Sequence, residues 1–133
     1  MSQENIELVG GTWAAFQRGD VGTMRESCHP DVLIVQPPEV PDTRTYSGLA
    51  GVKEAVEDWP NEWEDFQFEV LELIDVSDTR LVSVTRHRGR GAMSGIEMDT
   101  IVAYVHTIRD GKLMRLDMFF TKEQALEAAG LSE

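Results

Sequence analysis

The sequence lacks the features that would indicate disulfide bonds, a zinc site, a membrane span or a signal peptide. Cys28 is the one cysteine among 133 residues, which excludes an internal disulfide and a cysteine-built zinc site. No apolar run approaches the roughly 20 residues that span a bilayer. The first residues, Met1–Asn5, lack the basic and apolar regions of a signal peptide. We therefore expect a cytoplasmic protein that has no membrane partner.

Basic residues are also scarce. Lysine and arginine number 12 against 24 acidic residues, which gives a formal net charge of −12. Nucleic acids and anionic membranes are polyanions, so this charge excludes them as partners. The 41% hydrophobic content is too high for a disordered acidic tail. The length is typical of one domain, and we expect a single domain over residues 1–133.

The charge is distributed unevenly along the chain. The segment from Glu54 to Asp78 carries many acids and no base, whereas Arg80 to Arg115 is rich in arginine. A solvated acidic helix and strand beside a sheet with basic edges would produce this pattern. Arginines that face a cavity and hold an anionic or enolate-like ligand would produce it too. Both interpretations remain open from sequence.

Apolar residues recur at three- and four-residue steps in two segments, which is typical of amphipathic helices. The first helix presents Ile6, Val9, Trp13 and Phe16, and the third presents Val52, Val56, Trp59 and Trp63. Pro60 predicts a kink or an early end of the third helix. A short second helix begins after Asp20, and a last helix covers 122–129.

The rest of the chain has the period of two that indicates strands. Residues 32–36 form one short β-branched strand, and four more strands follow Phe66 in a predicted meander. Asp110-Gly111 predicts the hairpin turn between the last two strands. Helices segregated from an antiparallel sheet indicate an α+β fold, in which the helices cover one face of a curved sheet and enclose a cone.

Several short motifs occur in a characteristic order. They are Trp13-x-x-Phe16-x-x-Gly19-Asp20, His29-Pro30-Asp31-Val32, Tyr46-x-Gly48-x-x-Gly51-Val52, Arg109-Asp110-Gly111-Lys112-Leu113 and the final Glu123–Leu131. In this order the chain resembles the SnoaL-like polyketide-cyclase group of the nuclear-transport-factor-2-like superfamily over nearly its whole length. The resemblance implies a cystatin-like α+β cone. It does not imply one reaction, because the superfamily includes isomerases, epoxide hydrolases, dehydratases, cyclases and non-catalytic binders.

The resemblance also implies which side chains line the cone. The inward set is Val102, Tyr104, His106 and Ile108 on the long strand and Met114, Leu116, Met118 and Phe120 on the last strand. Period-two geometry agrees, because each inward set is the more apolar of its strand. The outward set is Val105, Thr107, Arg115, Asp117 and Phe119. Sheets of this superfamily commonly pair through that face, so we expect a homodimer.

The positions that carry chemistry in the resembled families hold other residues here. The Tyr and two Asp positions of ketosteroid isomerases fall on Thr12, Gln36 and Tyr104. Gln36 cannot abstract a proton from carbon, although Tyr104 can donate a hydrogen bond to an oxyanion. The last-strand Asp of epoxide hydrolases and cyclases falls on Met118. The nearby Asp117 faces outward unless a bulge rotates it.

His106 is the best remaining acid–base candidate, because its ordinary pKa of about 6.5 suits proton transfer. A core histidine that is bonded to Tyr104, Gln36 or a buried water is the alternative. Of the adjacent Arg86 and His87, one points inward. Arg86 shares a face with two valines, which favours Arg86 inward, where its charge would need a carboxylate or an anionic ligand.

These arguments predict a cofactor-free site without metal, since three scattered histidines make no ligand set. His106 and Tyr104 are the catalytic candidates. The ligand-binding candidates are Thr12, Phe16, Gln36, Trp59, Trp63, Arg86, Leu116, Met118 and Phe120. We expect a small apolar carbonyl or polyketide-like ligand, with cofactor-free isomerase, cyclase or hydrolase activity as one outcome. The alternatives are a non-catalytic binder and a dimeric protein-interaction module.

Overall fold

The computed structural model describes residues 3–37, 45–61 and 63–130, which form helices and strands of one α+β fold. The helices are α1 (Gln3–Gln17), α2 (Val21–Glu26), α3 (Gly48–Asn61) and α4 (Lys122–Ala128). The strands are β1 (Cys28–Val35), β2 (Thr45–Ser47), β3 (Trp63–Asp75), β4 (Arg80–Gly91), β5 (Glu97–Arg109) and β6 (Lys112–Phe119). No described helix is long and apolar enough to span a membrane.

The strands form one curved sheet in the order β2-β1-β6-β5-β4-β3. Strands β3 to β6 are the predicted antiparallel meander. The predicted α+β cone is confirmed, but the sheet is mixed rather than wholly antiparallel, because β1 pairs in parallel with β6. The chain leaves β1 and passes through α3 before the meander, and this crossover allows a parallel neighbour.

Two local predictions differ from the structure. Strand β1 begins at Cys28 rather than Val32, with an irregular register between Cys28 and Leu33. Trp63 is the first residue of β3 and does not belong to α3. The helix ends at Asn61, one residue after Pro60, in agreement with the predicted early end.

Both faces of strands β4 and β5 are buried at the centre of the sheet. The inner core contains Val9, Trp13, Ala15, Met24, Cys28, Val32, Val52, Leu81, Val102, Tyr104, Ile108 and Leu113. The outer core contains Val82, Val84, Ala103 and Val105 with Ala125 of α4 and its C-cap residue Ala129. Residues 81–85 and 102–106 are therefore buried without alternation, which removes the period-two signal that assigns side chains to faces.

Helix α4 covers part of the outer face. Its N-cap residue Thr121 accepts a hydrogen bond from the Gln124 backbone N–H at 3.1 Å. Ala125 then packs against the sheet with no exposure, and Val105 beneath it is only 3% exposed. Val105 was expected on an open dimer face, but α4 already buries it within one chain.

A β-bulge at Met114 sets the register of β6. Ile108 pairs with Leu113 and Thr107 pairs with Arg115, so Met114 is the extra residue. Met114 is predicted to line the cone, but it is not among the residues that line the cavity, and Leu113 lies in the inner core instead. Beyond the bulge, Asp117 faces outward as expected, where Arg115 donates to its carboxylate at 2.9 Å.

Candidate functional site

A cavity of about 870 Å³ lies between the helices and the inner face of the sheet. Its apolar lining includes Phe16, Met24, Val32, Ile34, Val52, Val56, Leu116 and Met118. The fold brings nine predicted site residues together here: Thr12, Phe16, Gln36, Trp63, Tyr104, His106, Leu116, Met118 and Phe120. The side chain of Trp59 lies outside the described residues.

Arg86 does not belong to this site, so its predicted inward position is wrong. Arg86 lies on the outer face with Val82 and Val84. These two valines are buried in the outer core, so their apolar side chains do not mark the inner face. Its guanidinium donates to Asp99 Oδ1 at 2.8 Å and to Oδ2 at 2.6 Å. His87 is the inward residue of the pair and lines the cavity.

His106 belongs to a buried hydrogen-bonded chain that begins on α1. Trp13 Nε1 donates to Ser83 Oγ at 3.1 Å, and Ser83 Oγ lies 2.8 Å from His106 Nε2. Ser83 is fully buried and His106 is 2% exposed. His106 Nδ1 is buried and has no hydrogen-bond partner among the described residues. The ring therefore has one nitrogen bonded within the protein and one buried nitrogen without a described partner.

Tyr104 and His87 form a second polar pair beside the first. The Tyr104 hydroxyl oxygen lies 3.4 Å from His87 Nε2. Phe66 and Phe68 stand edge-on to the His87 ring, with centroids at 5.7 and 5.2 Å. Two imidazoles and a phenol thus share the cavity wall with aromatic and aliphatic carbon.

Burial keeps these groups uncharged. It lowers the pKa of His87 to about 4 and that of His106 to about 3, and it raises the pKa of Tyr104. A histidine with so low a pKa holds no second proton near neutral pH and is a weak base. The pKa therefore argues against proton transfer by His106 and favours hydrogen bonding by its neutral ring.

Asp58 and Tyr46 are among the cavity residues that sequence reasoning missed. The Tyr46 hydroxyl donates to Asp58 Oδ2 at 3.3 Å, and both side chains line the cavity. Asp58 is the only carboxylate among the described lining residues. It lies within the acidic segment that reads as a solvated face. Its spacing of three from Ala55, another lining residue, is the signal that could have identified it.

Two further groups on the lining are inert. Burial raises the pKa of the Cys28 thiol to about 11, so the thiol stays protonated and unreactive. Arg115 is the only lysine or arginine among the described lining residues, and its side chain is bonded to Asp117. The described lining thus offers no unpaired cation for an anionic ligand. No described group of three or more histidine, cysteine or acidic residues is arranged to hold a metal.

The family model described as the SnoaL-like domain matches residues 9–116. The chain belongs to the SnoaL-like domain family. It is similar to an uncharacterized protein of Mycobacterium tuberculosis, with 26% identity over 125 residues. That alignment covers 93% of this chain and 94% of the mycobacterial protein. The family assignment confirms the resemblance that the motifs predict.

Several solved structures have a similar fold. TerC, co-crystallized with polyporic acid, is 25% identical with a TM-score of 0.75, over 96% of this chain and 98% of TerC. Bal32a from a soil-derived mobile gene cassette is 18% identical with a TM-score of 0.80, over 96% and 97%. A putative SnoaL-like polyketide cyclase from Jannaschia sp. CCS1 is 17% identical with a TM-score of 0.75, over 98% and 93%. The last two show the shared fold alone.

Proposed function

We propose that this SnoaL-like protein binds a small, largely apolar compound with a carbonyl group, of the polyketide-like kind, in the cone. The observation that carries the proposal is a set of neutral polar groups within an apolar cavity. His106, Tyr104 and His87 lie among aliphatic and aromatic side chains. An apolar cavity with a few convergent polar groups is the usual form of a small-molecule site. The co-crystallization of TerC, which is 25% identical to this chain, with polyporic acid supports the binding of a small organic compound.

Neutral donors fix which ligand atom the site prefers. An imidazole N–H or a phenol O–H can donate to a carbonyl oxygen without the cost of burying a charge. The same donors would stabilise negative charge that develops on that oxygen during enolisation. A ligand with a carbonyl oxygen and an apolar body therefore matches this cavity better than an ion.

Cofactor-free isomerase, cyclase or hydrolase activity is the second candidate function. Such a reaction needs a group that accepts a proton, and the low pKa of His106 makes it a poor one. Asp58, which accepts the hydrogen bond from Tyr46, is the described lining residue with suitable chemistry. Ligand binding needs no proton transfer, so we rank ligand binding above catalysis.

Blocking the cavity tests the binding proposal. Met118 lines the cavity on β6, where it is the strand-pairing partner of Tyr104 on β5. Met118→Trp should fill the space that a ligand occupies and weaken binding of benzophenone, a rigid apolar ketone, by more than about tenfold. Isothermal titration calorimetry of wild type and variant gives both dissociation constants.

A matched control separates blocking from general damage. Leu71 lies on β3, is 47% exposed and does not line the cavity. Leu71→Trp should leave benzophenone affinity within about twofold, since surface changes rarely act at a distance. Circular dichroism shows that both variants are folded. Equal benzophenone affinity in wild type and Met118→Trp, or no benzophenone binding by wild type, would contradict the proposal.

We also propose a homodimer through the part of the outer face that α4 leaves open. Ile101 is exposed there, and the Arg86–Asp99 ion pair lies beside it. An apolar centre with paired charges around it suits an interface. Light scattering at micromolar protein should give twice the monomer mass, and Ile101→Glu should give the monomer mass. A wild-type monomer under those conditions would refute the dimer.

A further inference from the structure

In the chain from Trp13 to Ser83 to His106, one arrangement of protons leaves the fewest hydrogen-bonding groups without a partner. An indole N–H can only donate, so Ser83 Oγ accepts from Trp13 at 3.1 Å. The same oxygen lies 2.8 Å from His106 Nε2. Ser83 has no exposure to solvent. Its hydroxyl proton must therefore find its partner inside the protein.

The position of that proton decides the state of His106. If His106 Nε2 carried a proton, Ser83 Oγ would accept twice and its own O–H would have no described acceptor. If Ser83 donates to Nε2, each of the three groups has a partner. The first arrangement leaves both the Ser83 O–H and the acceptor Nδ1 without a described partner, whereas the second leaves the Nδ1–H alone. Each unpartnered buried polar group is costly, so the second arrangement is favoured. The imidazole proton then lies on Nδ1.

We propose that Ser83 is a positioning residue, which holds His106 as the tautomer protonated on Nδ1 and so makes Nδ1–H the donor to a ligand oxygen. The ligand half of this inference rests on the proposed function. Nδ1 is buried and has no partner among the described residues, while His106 lines the cavity. A ketone, quinone or lactone oxygen would satisfy this N–H, whereas a hydrocarbon would not.

The surroundings of the ring keep it neutral, as the tautomer argument requires. Trp13 and Tyr104 contact the ring with centroids at 5.7 and 6.2 Å, and neither carries a charge. The residue paired with His106 on the neighbouring strand β6 is the uncharged Leu116. Burial lowers the pKa of His106 to about 3, which leaves a single proton on the ring near neutral pH. Free neutral histidine in water prefers this proton on Nε2, so the expected state differs from the default.

Heteronuclear NMR of ligand-free protein with isotopically labelled histidine tests the tautomer directly. We expect a protonated-type nitrogen resonance for His106 Nδ1 and an unprotonated-type resonance for Nε2. In Ser83→Ala this difference should shrink or reverse, because the group that donates to Nε2 is gone. A wild-type ring protonated on Nε2 would overturn the proposal even if Ser83→Ala failed to fold.

Thr85 provides the matched control. It is a fully buried hydroxyl residue on the same strand and face, and its Oγ1 donates to the Val102 carbonyl oxygen at 2.7 Å rather than to a histidine. Thr85→Val removes a buried hydroxyl but should leave both His106 nitrogen resonances in place. If Ser83→Ala leaves them in place too, Ser83 does not position the ring.

A pair of nearly isosteric probes tests the ligand half. Benzophenone carries a carbonyl oxygen where 1,1-diphenylethylene carries a CH2 group. Benzophenone should shift the His106 Nδ1 resonance, and 1,1-diphenylethylene should not. If benzophenone shifts other cavity resonances and not this one, the donor role fails and the proposed function stands. If benzophenone binds nowhere in the cavity, the proposed function and the ligand half fail together, and the tautomer is judged by the ligand-free spectrum.

Discussion

Acidification from pH 6.5 to about 4 is expected to remove a large part of the free energy of unfolding. In the folded state the pKa of His87 is about 4 and that of His106 about 3, against an ordinary value of 6.5. The unfolded chain therefore binds protons that the folded chain cannot bind. Stability is complete above the unfolded pKa and falls as the pH drops towards the folded values. Each histidine contributes a slope of about 1.4 kcal/mol per pH unit.

Together the two histidines lower the free energy of unfolding by roughly 5–7 kcal/mol between pH 6.5 and 4. This loss is comparable with the ~5–15 kcal/mol that stabilises a typical domain. Urea unfolding followed by tryptophan fluorescence, repeated at steps of pH, measures the slope. His87→Gln should remove about half of it whatever it does to stability at neutral pH. His29→Gln is the control, since the His29 side chain is 34% exposed, and it should follow wild type. Identical slopes in wild type and His87→Gln would show that His87 is not buried in its neutral form.

Trp13→Ala is expected to destabilise the fold by about 3–5 kcal/mol, since it empties the centre of the inner core. Trp13 is 6% exposed. Its ring centroid lies 4.9 Å from those of both Phe68 and Tyr104. The substitution also leaves Ser83 without its donor. Urea unfolding at neutral pH measures the change in the free energy of unfolding.

Two further variants apportion the Trp13 effect. Trp13→Phe keeps an aromatic ring and removes the bond to Ser83, so we expect an intermediate loss of about 1–3 kcal/mol. Phe120→Ala is the control, because Phe120 also lines the cavity but is 38% exposed, and it should cost less than about 1 kcal/mol. Similar losses of stability for Trp13→Ala and Phe120→Ala would contradict the position of Trp13 at the centre of the core.

Much of the architecture could be predicted from the sequence, because local rules decide it. Helical spacing located α1, and Asp110-Gly111 adopts the left-handed conformations that its hairpin turn requires, with φ of 52° and 73°. The motifs then supplied the family and the inward face of β5. Tyr104 and His106 lie in the cavity as the resemblance implied.

The errors arise where tertiary contacts override a local pattern. Val82 and Val84 suggested that their face was the inner one, but a helix some forty residues later in the chain covers them from outside. Arg86 was misplaced for that reason, and His87 was overlooked. The bulge at Met114 leaves no mark in the alternation of β6. Asp58 was hidden among acids, because only the packing of α3 shows which carboxylate lines the cavity.

The central claim is that the cone is an apolar site whose neutral donors recognise a carbonyl oxygen. Calorimetric dissociation constants of wild-type protein for benzophenone and 1,1-diphenylethylene test it most directly. One added hydrogen bond of about 1 kcal/mol predicts that the ketone binds about fivefold more tightly than the hydrocarbon. Equal affinities, or no binding of either probe, would contradict the account.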